Sequence, residues 1–317
     1  MRAMRLHELG QKLRMDEVPR PEPGPGEVLV EQRACGINFG DTLMVEGRYQ
    51  EKFDLPFIPG MEVAGIVRGG EGIAPGTRVA AYSGIGGLAE YAAIAANRCV
   101  PIPDAMSDVE AAAFLVAYGT SHVALDYKAH LQPGETLLVL GAAGGVGLTA
   151  VELGKVMGAR VIACARGADK LEAARAAGAD QLIDSDAGGL RDRVKALGGA
   201  DVVFDPVGGE LFNQALRATR PGGRILPLGF ASGSVPQIPA NIVLVKNISV
   251  LGLYWGGYAK LDPSVLTDSF ATLFAWYAEG RLKPHVSHTL PLAEADAALE
   301  LLRSRKSTGK VVVEIPG

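Results

Sequence analysis

A glycine-rich turn at residues 141–147, with the sequence GAAGGVG, carries the clearest chemical information in the chain. It follows TLLVL at 136–140, which is typical of a buried strand, and it precedes an apolar stretch typical of a helix. Glycines in such a turn let backbone N–H groups approach a pyrophosphate, and the helix dipole favours its negative charge. The turn therefore predicts a dinucleotide site contacted by Gly144, Gly145 and Val146, with a plain strand-to-helix turn as the alternative.

The end of the next predicted strand, 160–164, indicates which nicotinamide cofactor the site prefers. An NAD site has an acidic residue about 20 residues after the turn to bind the ribose hydroxyls. Here Ala165 and Arg166 occupy that place, and Lys170 follows one helical turn later. A guanidinium suits a 2′-phosphate, so the sequence predicts NADPH, with a solvated surface arginine as the alternative. Asp169 is interpreted as part of a capping box that begins the next helix.

The predicted elements around these residues fall into two patterns. Six strands alternate with helices, which is typical of a doubly wound, parallel Rossmann sheet in the α/β class; they are predicted at 136–140, 160–164, 181–184, 201–204, 223–228 and 248–253. Short strands punctuated by Gly and Pro precede them and predict a mostly antiparallel, barrel-like β domain; they are predicted at 27–34, 62–67, 76–82 and 90–94.

Helices are predicted at 109–129, 147–157, 170–177, 263–279 and 293–303. A final strand at 310–315 is expected to return to the N-terminal domain and close the two halves around a cleft. The predicted domains are therefore residues 1–118 with 286–317, and residues 119–285.

The composition argues against several other classes of protein. The formal net charge is −4 at pH 7 and the basic residues form no block, so a nucleic-acid partner is not expected. No apolar run reaches the roughly 18 residues of a membrane span. Three cysteines without metal-finger spacing argue against a disulfide framework, and the N-terminus lacks the apolar core of a signal peptide. A cytoplasmic location is therefore expected.

Five short motifs make the chain resemble the medium-chain dehydrogenase/reductase superfamily, and specifically its zinc-free quinone oxidoreductase branch. They are CGINFGD at 35–41, PGMEVAG at 59–65, YGTS at 118–121, AAGGVG at 142–147 and TGKVV at 308–312. The resemblance covers essentially the whole chain. It implies a GroES-like catalytic domain beside the Rossmann domain, and a homodimer formed through the edge of the Rossmann sheet.

The resemblance also bears on metal binding. The zinc alcohol dehydrogenases of the superfamily have a ligand Cys where this chain has Asn38, and a ligand His where it has Met61. A catalytic zinc needs about three protein ligands from Cys, His or carboxylate. Cys35 stands at the neighbouring, non-ligand position, so we predict no metal. Without zinc to polarise an oxygen, the hydride acceptor must be activated by its own conjugation, as quinones are.

Individual site residues are implied by the same resemblance. Asn38 is expected to bind the acceptor oxygen or the cofactor ribose, with a turn asparagine as the alternative. Asp41 is expected to fix local structure, and Tyr49 to offer a proton or a stacking ring unless it is a core or surface tyrosine. Thr120 is expected to contact the nicotinamide, with a helix cap as the alternative. Further cofactor contacts are implied at Gly229, Phe230, Leu253, Tyr254 and Arg305.

The aromatic cluster at 254–258 is interpreted as a wall for a ring-shaped acceptor, or as part of a subunit interface, which we favour for some of its rings. The leading functional hypothesis is an NADPH-dependent quinone reductase. A reductase of α,β-unsaturated carbonyls, such as 2-alkenals or enoyl thioesters, shares the hydride chemistry and stays open. A protein that binds NADPH without turnover is the alternative from a different class.

Overall fold

The computed structural model describes residues 1–316, and contacts within the chain divide it into two compact units. Unit 1 contains residues 1–116 and the described residues from 284 onward, and unit 2 contains residues 117–283. The boundaries expected from the sequence lie two residues further along the chain in each case.

The strands within residues 1–316 are, in chain order, β1 (Arg2–Arg5), β2 (Arg14–Glu17), β3 (Glu27–Ile37), β4 (Glu62–Gly70), β5 (Arg78–Tyr82), β6 (Tyr91–Ala95), β7 (Cys99–Pro101), β8 (Thr136–Leu140), β9 (Arg160–Ala165), β10 (Gln181–Asp184), β11 (Ala200–Asp205), β12 (Thr219–Pro227), β13 (Ser249–Val250), β14 (Val286–Pro291) and β15 (Lys310–Glu314).

The α-helices of the same residues are α1 (Phe39–Val45), α2 (Asp108–Ala112), α3 (Leu115–His122), α4 (Gly145–Val156), α5 (Ala168–Ala176), α6 (Leu190–Ala196), α7 (Gly209–Ala218), α8 (Ala240–Lys246), α9 (Tyr258–Leu261), α10 (Pro263–Ala278) and α11 (Ala295–Arg303). A π-helical segment, Val123–Lys128, follows α3. None of the helices described is long and apolar enough to cross a membrane.

Unit 1 is built on a mostly antiparallel sheet in the order β14-β15-β3-β4-β5-β7, with β6 also paired to β3. Apolar side chains of β3, β4, β5 and β15 pack with α11 to form its core. β15 pairs antiparallel with β3, so the C-terminal strand returns to the N-terminal sheet as the sequence predicts. The strands β1, β2, β7 and β14 were not predicted; each has only three to six residues, too few for a clear alternation of buried and exposed positions.

Unit 2 is built on a parallel sheet in the order β10-β9-β8-β11-β12-β13, which confirms the six-stranded, doubly wound prediction. The edge strand is shorter than predicted, because only Ser249–Val250 pair with β12. The helix predicted at 109–129 is also wrong in detail. It is broken into α2, α3 and the π-helical segment.

The starts of α2 and α3 are each met by a side chain of unit 1. α2 begins at a capping box, in which the backbone N–H of Glu110 donates to Ser107 Oγ. α3 begins again at Leu115, so the N–H of Val116 lies in a first helical turn, where no backbone carbonyl of the helix can accept it. The carboxylate of Glu62 accepts it instead, at 2.9 Å.

A glycine in β3 makes room for this contact and gives a test of the packing. A Cβ on Gly36 would lie 1.9 Å from the carbonyl oxygen of Ala112 and 2.9 Å from Glu62 Oε1. We therefore expect Gly36→Ala to lower the free energy of unfolding by about 1–3 kcal/mol or more, as overpacked cores do. Urea unfolding followed by circular dichroism measures the change.

Gly69→Ala is the matched control, because Gly69 also lies in this sheet, in β4, and a Cβ there would meet nothing within 4 Å. Its stability should stay close to that of the wild type. Equal stabilities for the two variants would show that the contact around Gly36 is not tight.

Candidate functional site

The glycine-rich turn of unit 2 is shaped by close backbone packing. Gly141 has a φ of +60°, and a Cβ on Gly147 would lie 2.1 Å from the carbonyl oxygen of Gly141. The N–H of Ala142 donates to Cys164 O at 3.0 Å and ties the turn to β9. α4 begins after Gly144, and no side chain of residues 1–316 caps it. Its first N–H groups are therefore available to an anion.

Two further turns meet this one at the carboxyl edge of the parallel sheet. The Cβ position of Gly141 lies 3.0 Å from Val207, in the turn after β11, and that of Gly229, after β12, lies 3.3 Å from Pro206 O. Asp205 is fully buried and accepts from the N–H groups of Val207 and Gly208 at 2.7 and 2.9 Å. Burial raises its pKa to about 6, although those N–H groups lower it.

Arg166 follows β9 and is exposed, with its side chain 57% accessible. Its Nε lies 3.2 Å from Asp186 Oδ1, in an ion pair of two exposed groups. Lys170 lies in the first turn of α5. The capping box predicted at Asp169 is wrong, because α5 begins at Ala168. The N-cap residue is Gly167, which has a φ of 76° and no side chain to cap the helix.

Thr120 lies inside α3, so its interpretation as a helix cap is wrong. The next residue fixes this helix to the glycine-rich turn within unit 2. Ser121 Oγ donates to Val146 O at 2.8 Å and lies 2.8 Å from Thr149 Oγ1. Thr149 in turn donates to Ala117 O at 3.1 Å, so two hydroxyls hold α3 against α4.

The other predicted contacts of unit 2 differ in exposure. Phe230 and Tyr254 are both more than 40% exposed. Trp255 and Tyr258 are buried, and they pack edge-on against Phe270 and Tyr127 with ring centroids 6.1 and 5.8 Å apart. These two rings therefore belong to the interior of unit 2, and Tyr254 is the exposed ring of the cluster.

A buried polar cluster forms the corresponding feature of unit 1, and strand register explains it. β15 pairs with β3 so that Val311 lies opposite Ile37, and β4 pairs with β3 so that Glu62 lies opposite Gly36. Lys310 begins β15 and Glu62 begins β4, while Asn38 directly follows β3. Three neighbouring strand ends thus bring an ammonium, an amide and a carboxylate together.

The amide of Asn38 is bound at both ends. Its Nδ2 donates to Glu62 Oε1 at 2.9 Å and to Gly36 O at 3.3 Å, and its Oδ1 accepts from Lys310 Nζ at 2.7 Å. Lys310 Nζ also contacts Glu62 Oε1 directly. Lys310 and Glu62 are only 5% and 1% exposed. Removing one member of such a buried pair leaves an uncompensated charge, which is strongly destabilising.

Asp41 lies beside this cluster and organises the start of α1. Its carboxylate accepts from the N–H of Asn38 at 2.8 Å and from the N–H of Gly60 at 3.2 Å. Burial raises the pKa of Asp41 to about 7, although these N–H groups and the charge of Lys310 lower it. The geometry matches the structural role that the sequence suggested for Asp41.

Two predicted residues of unit 1 lie outside the cluster. Tyr49 is half-buried after α1, with its ring against Gly40. Arg305 lies in the exposed turn before β15, with a left-handed φ of 56°.

Met61 and Cys35 are buried in the core, and burial raises the pKa of the Cys35 thiol well above its usual value. Across residues 1–316 no group of three or more His, Cys, Asp or Glu side chains is arranged to hold a metal ion.

Glu62 and Lys310 carried no predicted role, although both stand in motifs of the resemblance. A signal was present, because each is a lone charge at the head of an apolar strand, in MEVAG and GKVVV. Charged side chains at buried positions need a partner of opposite sign. One acid and one base in such positions are therefore candidates for a pair.

Comparisons with known proteins agree with both units. Two family models match, the alcohol dehydrogenase GroES-like domain over residues 24–104 and the zinc-binding dehydrogenase over residues 145–276. The chain is 42% identical to a quinone oxidoreductase-like protein 2 homolog of Nematostella vectensis, over 98% of this chain and 88% of that protein.

Solved structures are also similar over nearly the full length. The quinone oxidoreductase of Thermus thermophilus, solved alone and with NADPH, has a TM-score of 0.88 and 36% identity, covering 99% of this chain and 100% of that one. Escherichia coli quinone oxidoreductase complexed with NADPH has a TM-score of 0.93 and 30% identity, with the same coverage. The chain therefore belongs to the zinc-free quinone oxidoreductase branch of the medium-chain dehydrogenase/reductase superfamily.

The raised pKa of Asp41 predicts how stability depends on pH. Between about pH 4 and about pH 7 the unfolded chain releases this proton while the folded protein keeps it, so the free energy of unfolding falls as the pH rises. In Asp41→Asn this contribution is absent. Urea unfolding measured across that range should give a flatter profile for the variant than for the wild type.

Asp104→Asn is the control, because it removes an exposed carboxylate from the same unit and should leave the wild-type profile unchanged. A decline with pH that is as steep in Asp41→Asn as in the wild type would show that Asp41 does not keep its proton.

Proposed function

We propose that this protein is an NADPH-dependent quinone reductase that works without a zinc ion. The observation that carries the proposal is the cluster in unit 1, where Asn38 is engaged by Lys310 and Glu62 and Met61 is buried. The two positions that would otherwise supply zinc ligands are thus an amide held in place and a thioether in the core. The NADPH complexes of similar quinone oxidoreductases support the choice of cofactor.

The turn of unit 2 fits a dinucleotide, because α4 begins close against Gly141. A side chain at Gly147 would collide with the Gly141 carbonyl oxygen and displace the start of α4 from the turn. The N–H groups of Gly145 and Val146 would hold the pyrophosphate. The N–H of Gly144 donates to Gly141 O at 3.0 Å, so Gly144 would let the phosphate approach closely without donating to it. Arg166 and Lys170 would hold the 2′-phosphate. Thr120, Gly229, Phe230, Leu253, Tyr254 and Arg305 stay the proposed contacts along the rest of the cofactor.

NADPH would supply the hydride, and the protein's part is to bind, orient and exclude solvent. Tyr49 is the proposed source of the proton that follows the hydride, since a phenol is able to donate one. Asn38 and Asp41 are proposed to shape the nicotinamide end of the site. The carboxylate of Asp41 accepts from the backbone N–H of Asn38 and so holds Asn38 in place.

A homodimer formed through the edge of the parallel sheet is also proposed. The edge strand β13 follows α8 directly, and Leu244 and Val245 on α8 are each 75% exposed. Large apolar side chains exposed beside an edge strand are typical of an interaction surface.

A steady-state assay tests the proposed reaction. NADPH and NADH are compared as donors to 1,4-benzoquinone, 9,10-phenanthrenequinone and a 2-alkenal, with chelator and with added zinc. We expect NADPH oxidation with the quinones, a clear preference over NADH, and no response to chelator or zinc. Faster turnover of the alkenal, with a saturated carbon–carbon bond in the product mass, would favour the unsaturated-carbonyl reductase. Background oxidation with every acceptor would favour binding without turnover.

Arg166→Ala tests the choice of cofactor. An exposed ion pair such as Arg166–Asp186 contributes at most about 1 kcal/mol, so the guanidinium is free to exchange its partner for a phosphate. Loss of a charge-assisted contact to phosphate should raise KM for NADPH about tenfold or more and leave KM for NADH unchanged.

Arg175→Ala is the matched control, since Arg175 is similarly exposed, pairs with Glu172 and lies near the end of α5. Its kinetics should equal those of the wild type. A rise in KM for both cofactors in Arg166→Ala, or for neither, would contradict a 2′-phosphate contact.

A further inference from the structure

The charges around Asn38 determine which way its amide faces. An ammonium only donates hydrogen bonds, so the amide atom that faces Lys310 Nζ at 2.7 Å must be the oxygen. An ionised carboxylate only accepts, so the atom that faces Glu62 at 2.9 Å must be the nitrogen. A rotated amide would place donor against donor and acceptor against acceptor in a buried setting.

The same contacts use up the donors of the Asn38 side chain. Its two N–H groups point to Glu62 Oε1 and to Gly36 O. The amide oxygen has two lone pairs, and Lys310 takes one of them. The side chain is therefore able to accept one further hydrogen bond and to donate none. A ligand of Asn38 has to be a hydrogen-bond donor.

The need for a hydrogen-bond donor distinguishes the possible ligands of Asn38. A quinone or enone oxygen only accepts, so it gains nothing from the free lone pair of the amide oxygen. A ribose hydroxyl donates, and the oxygen that would accept from it is already held in place by Lys310, so binding orders little more of the site. The chemistry of the cluster thus favours the cofactor over the acceptor.

We propose that Lys310 and Glu62 are positioning residues that hold the Asn38 oxygen as an acceptor for a hydroxyl of the nicotinamide ribose. The inference rests on the proposed function, since it requires that NADPH is bound. It assigns a purpose to two buried charges whose separation along the chain is 248 residues. Neither residue is proposed to touch the reacting atoms.

The test measures binding as well as turnover. Dissociation constants are taken from the fluorescence of bound NADPH and of two analogues that lack the 2′- or the 3′-hydroxyl of the nicotinamide ribose. We expect the wild type to bind one analogue about tenfold more weakly than NADPH, as the loss of one hydrogen bond to a held acceptor implies. In Lys310→Met, which removes the ammonium, NADPH and that analogue should bind equally.

Lys310→Gln keeps N–H donors without the charge, so it should restore part of the discrimination, and KM for the quinone should change less than KM for NADPH in both variants. Lys12→Met, an exposed lysine of the same unit, should behave like the wild type. If Lys310→Met does not fold, the comparison of analogues on the wild type and on Lys310→Gln decides the matter.

Equal binding of NADPH and both analogues by a wild type that oxidises NADPH would overturn this inference and leave the proposed function intact. Discrimination that is as strong in Lys310→Met as in the wild type would also overturn it. A wild type that does not bind NADPH at all would overturn the proposed function and this inference with it.

Discussion

The ion pair between Lys310 and Glu62 is the constraint on which the arrangement of unit 1 depends. Burying two charges costs several kcal/mol per ion, and the pair is tolerable only when the remaining hydrogen-bonding groups are also met. Both oxygens of Glu62 are met, one by Asn38 and Lys310 and the other by the N–H of Val116. Each of these partners comes from a different part of the chain, so the pair links segments that the pairing of β15 and β4 with β3 also brings together.

Several local features of unit 1 follow from that requirement. Gly36 has no side chain because the Glu62 carboxylate and the Ala112 carbonyl already fill the space. The helix is interrupted before Leu115, and the interruption places an N–H where Glu62 is able to accept it. The C-terminal strand begins at Lys310, and its register with β3 places the ammonium within 2.7 Å of the Asn38 amide oxygen.

The sequence predicted the strands better than the contacts between them. β8 and β10 match the predicted residues, because an apolar run ends at a glycine turn or a polar residue in each case. The cap at Gly167 was missed because a positive φ leaves no side-chain signature, while Asp169 resembles a capping residue. The pairing of Lys310 with Glu62 depends on how β3, β4 and β15 align with one another. The pattern of residues within a single strand does not determine that alignment.

The two units build their functional features by opposite means. In unit 2 the glycines of the turn have no side chains, so α4 approaches Gly141 closely and its first N–H groups stay uncapped. In unit 1 the cluster works by fixing the amide of Asn38 between a buried ammonium and a buried carboxylate, which leaves one lone pair of its oxygen unused. A zinc site needs ligand atoms that are able to turn toward the metal. The amide of Asn38 is held between an ammonium and a carboxylate, and turning it would break its hydrogen bonds to both. In the proposed function, the hydride acceptor therefore has to be activated by its own conjugation.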